Sequence, residues 1–151
     1  MGCEKCRLQL KICSDNATIN VTNNGIVNNS TGTITINDVI INASSYGISN
    51  NGAGEIVLNH GTITAKSNYG IYNKDVGSVV IENATINTNT YGIYSNAAGT
   101  IVMNNGEVIT NNYPLYVNNS GAKIELNNGE WKNKIGGIYY PESMLINNTG
   151  S

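Results

Sequence analysis

Four tyrosines, Tyr72, Tyr94, Tyr116 and Tyr139, follow one another at steps of 22, 22 and 23 residues. A phenol joins an apolar ring to a hydroxyl tip. A regular row of them therefore suits contact with sugar rings or a protein surface. The plainer alternative is that cross-strand rings only stabilise the face of a sheet. These four are the candidate contact residues of the chain.

Other chemistry is thinly supplied. Cys3-x-x-Cys6, Cys13 and the lone His60 suggest zinc, but a structural site wants four ligands in two close pairs and the second pair is missing. Terminal thiols are the better reading, and no metal or cofactor is expected. Cleavage of acidic polysaccharides needs clustered carboxylates, or calcium-binding Asp beside a basic residue. The chain offers Asp15, Asp38, Asp75 and a single Arg7. Asp38 and His60 lie 22 residues apart and Glu107 and Glu130 lie 23 apart, yet neither pair has a third acidic partner or an evident cleft. No catalytic residues are expected, and the chain reads as a non-enzyme. Thr33-x-Thr35 and Thr62-x-Thr64 fall at different places in the repeat described below, so no regular Thr-x-Thr face for ice forms. Asn-x-Ser/Thr triplets at Asn16, Asn20, Asn42, Asn83 and Asn147 follow from an Asn- and Thr-rich composition.

The bulk properties narrow the field further. The chain has 151 residues, 40 % of them apolar and 12 % charged, which suits one domain. A net charge of −2 excludes the usual basic surface for nucleic acid. No apolar run approaches the roughly 18–20 residues of a membrane helix, and no secretory signal is visible.

The tyrosine spacing belongs to a repeat that runs through most of the sequence. Tyr46-Gly47-Ile48, Tyr69-Gly70-Ile71 and Tyr91-Gly92-Ile93 are followed by Tyr113-Pro114-Leu115 and Gly136-Gly137-Ile138. Asn24-Gly25-Ile26 extends the register backwards. A second phrase holds Ile34, Ile56, Val79, Ile101 and Ile124, with Ile36, Leu58, Ile81, Met103 and Leu126 two residues on. A third column is Ile19, Ile41, Ile63, Ile86, Val108 and Trp131. All three step by 22 or 23.

Each repeat thus contains three short alternating segments separated by Asn, Gly, Ser and Thr. Alternation with β-branched residues predicts strands, and the polar clusters predict turns. Three strands in so few residues leave no room for hairpins. One coil per repeat, stacked strand on equivalent strand, satisfies the pattern, with successive coils about 4.8 Å apart. The expected fold is all-β, a right-handed parallel β-helix of three sheets and about six coils, the hand being the usual one for such coils. Residues 1–15 form an N-terminal segment with a first partial strand, and residues 16–151 the repeat domain, truncated within its last coil. Tyr46, Tyr69, Tyr91 and Tyr113 share the inward parity of the third column and are expected to line a corner. Asn37, Asn59, Asn104 and Asn127, with Glu82 among them, are expected to stack as an amide ladder, followed by Asp38, His60, Asn83, Asn105 and Asn128. A column of Gly61, Gly106 and Gly129, with Val39 and Ala84, suits a tight corner. Open coil ends invite pairing with further coils or protomers.

The phrase Gly99-Thr-Ile-Val-Met-Asn-Asn-Gly-Glu-Val-Ile-Thr110, together with Tyr91-Gly-Ile-Tyr94, resembles the repeats of bacterial autotransporter adhesin passenger domains, over roughly residues 16–148. The resemblance implies a pectin-lyase-like β-helix, secreted or displayed at the cell surface, acting as a non-enzymatic stalk or adhesin. Its implied partners are a carbohydrate or a host surface protein. Gly136-Gly-Ile-Tyr-Tyr-Pro141 is also similar to β-helical proteins of gut bacteria and their phages, and implies a phage tailspike or polysaccharide-processing β-helix as the alternative. The chain departs from the adhesin pattern in its three cysteines and in lacking a visible signal peptide and translocator barrel.

Overall fold

The computed structural model describes residues 9–128, 130–133, 139 and 146–148. The described residues contain no helix, and every strand pairing is parallel. The strands are β1 Gln9–Val21, β2 Ile26–Asn28, β3 Thr33–Ala43, β4 Ile48–Asn50, β5 Glu55–Ala65, β6 Ile71–Asn73 and β7 Ser78–Thr88. They continue with β8 Ile93–Ser95, β9 Thr100–Met103, β10 Gly106–Thr110, β11 Leu115–Val117, β12 Lys123–Leu126, β13 Glu130–Asn133 and β14 Ile146–Asn148. The chain is a β-solenoid of about 5 turns. The sixth coil counted in the sequence falls largely on positions outside the described residues, among them Gly129, Ile138 and the start of the next strand.

The register matches the repeat residue for residue. Ile34, Ile56, Val79, Ile101, Ile124 and Ile146 are successive partners on the first face. Ile19, Ile41, Ile63, Ile86, Val108 and Trp131 follow one another on the second. Ile26, Ile48, Ile71, Ile93 and Leu115 do so on the third. Alternation turns the described core side chains of these columns to the axis: Ile41, Ile48, Ile63, Ile71, Ile86, Ile93 and Val108 are all 0 % exposed. Each such side chain contributes about 1.5–3 kcal/mol through burial. One coil offers too few of them to offset its ordering cost, so the stack is the stable unit.

The first two of the expected three strands per coil are joined. In β3, β5 and β7 one strand of 11 residues runs along the first face and bends onto the second. The hydrogen-bonded ladders therefore form two sheets, one of nine strands and one of five, wrapped around three faces. The bend lies where the Gly column was expected. Gly61 has φ +151° and Gly106 φ +121°, and a Cβ on either would meet the carbonyl oxygen of the coil below at 2.4 Å or 2.2 Å. In β3 the positive φ moves one residue back, to Asp38 at 50°, and Val39 then fits in place of glycine. Aspartate is among the few side chains that tolerate this region.

The outer amide ladder forms as expected. Asn59 donates to Asn37 at 2.5 Å, Asn104 to Glu82 at 2.8 Å and Asn127 to Asn104 at 2.6 Å. Glu82 serves one side of the column, its carboxylate accepting from Asn104, but it has no N–H to donate to Asn59, so the amide ladder breaks between those two coils. The next column, Asp38, His60, Asn83, Asn105 and Asn128, is exposed along its length.

A candidate contact ridge of tyrosines

The third face begins at a glycine. The Gly25, Gly47, Gly70 and Gly92 amides donate to the carbonyls of Tyr46, Tyr69, Tyr91 and Tyr113 in the next coil, at 2.9–3.2 Å. This close stacking fixes the height of each Tyr-Gly-Ile phrase. The outward positions of the short strands then run Val27, Ser49, Tyr72, Tyr94 and Tyr116 in register, with Tyr139 bridged to Tyr116. The four candidate residues thus stand in one column.

They do not stand alone. Tyr46, Tyr69, Tyr91 and Tyr113 do not line an interior corner; they are half-buried and their rings lie beside the outward column. The inward parity expected of them holds only if the residue before Gly belongs to the strand. That residue precedes the strand, at the turn, where alternation no longer sets direction. The result is a double row of eight rings. Tyr46 packs on Tyr72 at 5.5 Å between centroids, Tyr69 on Tyr94 at 4.6 Å, Tyr91 on Tyr116 at 4.9 Å and Tyr113 on Tyr139 at 5.8 Å. Along the outward column, Tyr94 and Tyr116 are 5.3 Å apart with planes 9° from parallel, and Tyr116 and Tyr139 are 4.2 Å apart at 10°. Both arrangements are favourable for rings carrying a quadrupole.

Stacking has a chemical consequence. Where rings are near parallel, their faces are turned to one another. What the ridge offers is ring edges and hydroxyls. Partial burial, followed by the neighbouring phenols of Tyr94, Tyr46, Tyr91 and Tyr72, holds the Tyr69 hydroxyl above the ordinary tyrosine range. Tyr72 is raised by burial, then by Tyr94 and Tyr46. Tyr116 is raised by burial, then by its interaction with the Tyr139 hydroxyl. These three phenols stay neutral hydrogen-bond donors well into alkaline conditions.

The remaining candidates divide cleanly. Asp38 and His60 are neighbours along a shallow exposed groove that also includes Asn83, Thr62 and Thr85, and they make no hydrogen bond to each other. Glu107 and Glu130 are register partners, and Lys132 bridges both carboxylates, at 2.6 Å to Glu130. That cation, two residues beyond Glu130 on the same side of β13, went unread in the sequence, although the period-2 rule places it there. Hydrogen bonding to Lys132 lowers the Glu130 carboxyl, and the two carboxylates raise the lysine. No group of three metal-ligating side chains occurs among the described residues. Cys3, Cys6 and Arg7 lie outside them, and no helix among them is long and apolar enough to cross a membrane.

A buried asparagine column was also missed. Asn28, Asn50, Asn73 and Ser95 are register partners and are at most 2 % exposed. Asn28, Asn50 and Asn73 each donate to the carbonyl four residues on, of Gly32, Gly54 and Gly77, at 3.2, 2.9 and 2.9 Å. The spacing Asn-x-x-x-Gly was the available signal. It binds the turn between the third face and the first, and so holds the ridge strand against the next coil.

No protein-family model matches the chain, and neither the curated proteins nor the solved structures searched contain a match to it.

Proposed function

We propose that the chain is a non-enzymatic segment of a bacterial surface or secreted β-helix, a rigid rod whose tyrosine ridge makes the adhesive contact. The single observation that carries this reading is the eight-ring double row, Tyr46 to Tyr139, on one side of the stack. A packed core needs no such row outside it, and a contiguous, partly exposed aromatic strip is the kind of patch that marks a contact surface. The partner that fits is a linear neutral glycan. The ridge repeats one phenol pair per coil, about every 4.8 Å, so a ligand with its own regular repeat can use several coils at once. Its donors are neutral hydroxyls, and no lysine or arginine belongs to the row to attract an anionic chain. Recognition then proceeds through hydroxyls and ring edges, since neighbouring rings occupy the faces.

Polysaccharide cleavage, the alternative, draws less support. Its carboxylates would come from Asp38, which has no bonded partner in His60, or from Glu107 and Glu130, which are both held in ion pairs with Lys132.

A variant carrying Tyr94→Ser and Tyr116→Ser, compared with the parent on an array of neutral oligosaccharides, tests the reading. Loss of binding by at least about tenfold, with the β-sheet circular dichroism retained, is expected, since two central contacts at about 0.7 kcal/mol each give that factor. A parent that binds no glycan on the array, or a variant that binds as tightly as the parent, would remove it.

A further inference from the structure

Eight phenols in one uninterrupted row are also eight one-electron donors, and one pair among them is set apart by geometry. Tyr116 and Tyr139 have the closest centroids of the row, 4.2 Å, with planes 10° from parallel. They are bridge partners in a parallel ladder, so both side chains leave the backbone in the same direction and the two rings face one another with their ortho carbons within reach of a short sideways shift. Tyr139 is 43 % exposed, the only tyrosine among the described residues that counts as exposed. It is open to an oxidant and has room to turn. We propose that Tyr116 and Tyr139 are a radical-coupling pair, joined by a carbon–carbon bond when the protein meets a peroxide-driven one-electron oxidant.

The chemistry balances. Each phenol gives up one electron and one proton to become a phenoxyl radical. The two radicals join at the ring carbons ortho to oxygen, and the two displaced ortho hydrogens move to the oxygens and restore both phenols. Overall, two phenols and one hydrogen peroxide give one biphenol and two waters. The other stacked rings assist, because an electron hole formed at Tyr69, Tyr91 or Tyr94 lies within 5.5 Å of a neighbour through which it can pass along the row. Coupling ties the coil that holds β11 to the one that follows it, closing a loop of 23 residues by sequence. Such a bond limits the unfolded chain as a disulfide does. This proposal is independent of the glycan reading.

The test treats the folded protein with a haem peroxidase and limiting hydrogen peroxide. Dityrosine fluorescence is followed, and the monomer fraction is digested for mass spectrometry. The expected result is one dominant cross-linked species, lighter by two hydrogens, whose fragments join Tyr116 to Tyr139. Its thermal midpoint is expected to rise by about 5–10 °C. Tyr139→Phe is expected to abolish this species and Tyr46→Phe to leave it. Coupling that is mainly intermolecular, that joins another pair, or that gives the same intramolecular yield in urea would overturn the proposal. So would persistence of the species in Tyr139→Phe, and so would the absence of any dityrosine in the folded protein.

Discussion

Asn50 donates its Nδ2 to the carbonyl of Gly54, four residues on, and to Oδ1 of Asn73, one coil above, at 2.9 and 3.0 Å. Both asparagines are fully buried. One amide therefore closes a turn within its coil and ties that coil to the next. Replacing Asn73 by alanine removes the acceptor for Asn50 and the donor for the Gly77 carbonyl, at a fully buried position. The expected loss is about 2–3 kcal/mol of unfolding free energy, read from the urea midpoint. Asn118→Ala, which breaks the exposed bond to Asn96, is expected to cost no more than about 0.5 kcal/mol. Equal effects at the two sites would refute the special role of the buried column.

The glycine of the same motif is fixed by close approach. A methyl at Gly77 would come 2.1 Å from the Gly54 carbonyl oxygen and 2.5 Å from Asn50 Nδ2. Neither neighbour can retreat without breaking the ladder. Gly77→Ala is expected to destabilise by about 3 kcal/mol in denaturant unfolding. A neutral result would mean that the turn is looser than described.

Alkaline titration reports on the ridge. Tyr69, Tyr72 and Tyr116 have folded-state pKa values above the ordinary 10.0, so between the unfolded and folded values the native state holds more protons. Their contribution is complete below about pH 10 and is lost as pH rises through the folded values. Phenolate absorbance is expected to show a late-titrating group of tyrosines, and the urea midpoint is expected to fall above about pH 10. If Tyr69→Phe, Tyr72→Phe and Tyr116→Phe together leave that fall unchanged, its origin lies elsewhere.

The charge cluster on β10 and β13 is expected to matter for titration and little for stability, since all three groups face solvent. Lys132→Met is expected to return the Glu130 carboxyl towards its ordinary value, seen by carbon-detected NMR titration, with no resolvable shift in the unfolding midpoint. An unmoved Glu130 would show that the bridge is not populated.

Much of this architecture could be read beforehand because the core obeys a single rule: an aliphatic residue, most often β-branched, every second position, recurring once per coil. Ile41, Ile63 and Ile86 announce themselves by type and period together. The bend was less legible. Whether Asn37 to Val39 is a break or a continuous strand depends on one positive φ, which Asp38 supplies in place of glycine. The inner amides were hidden by composition: Asn50 in the core and Asn51 on the surface are adjacent in sequence and identical in type. Only their register partners and the glycine four residues on tell them apart. The second tyrosine row was misplaced for a related reason. Parity applies within a strand, and Tyr69 stands outside one.

The most direct test of the whole account is the stacking of equivalent coils. In protein with labelled isoleucine methyl groups, nuclear Overhauser contacts are expected from Ile48 to Ile71 and from Ile71 to Ile93, partners in adjacent coils at 0 % exposure. A folded protein in which Ile71 contacts neither Ile48 nor Ile93 would contradict the solenoid, and with it the tyrosine ridge.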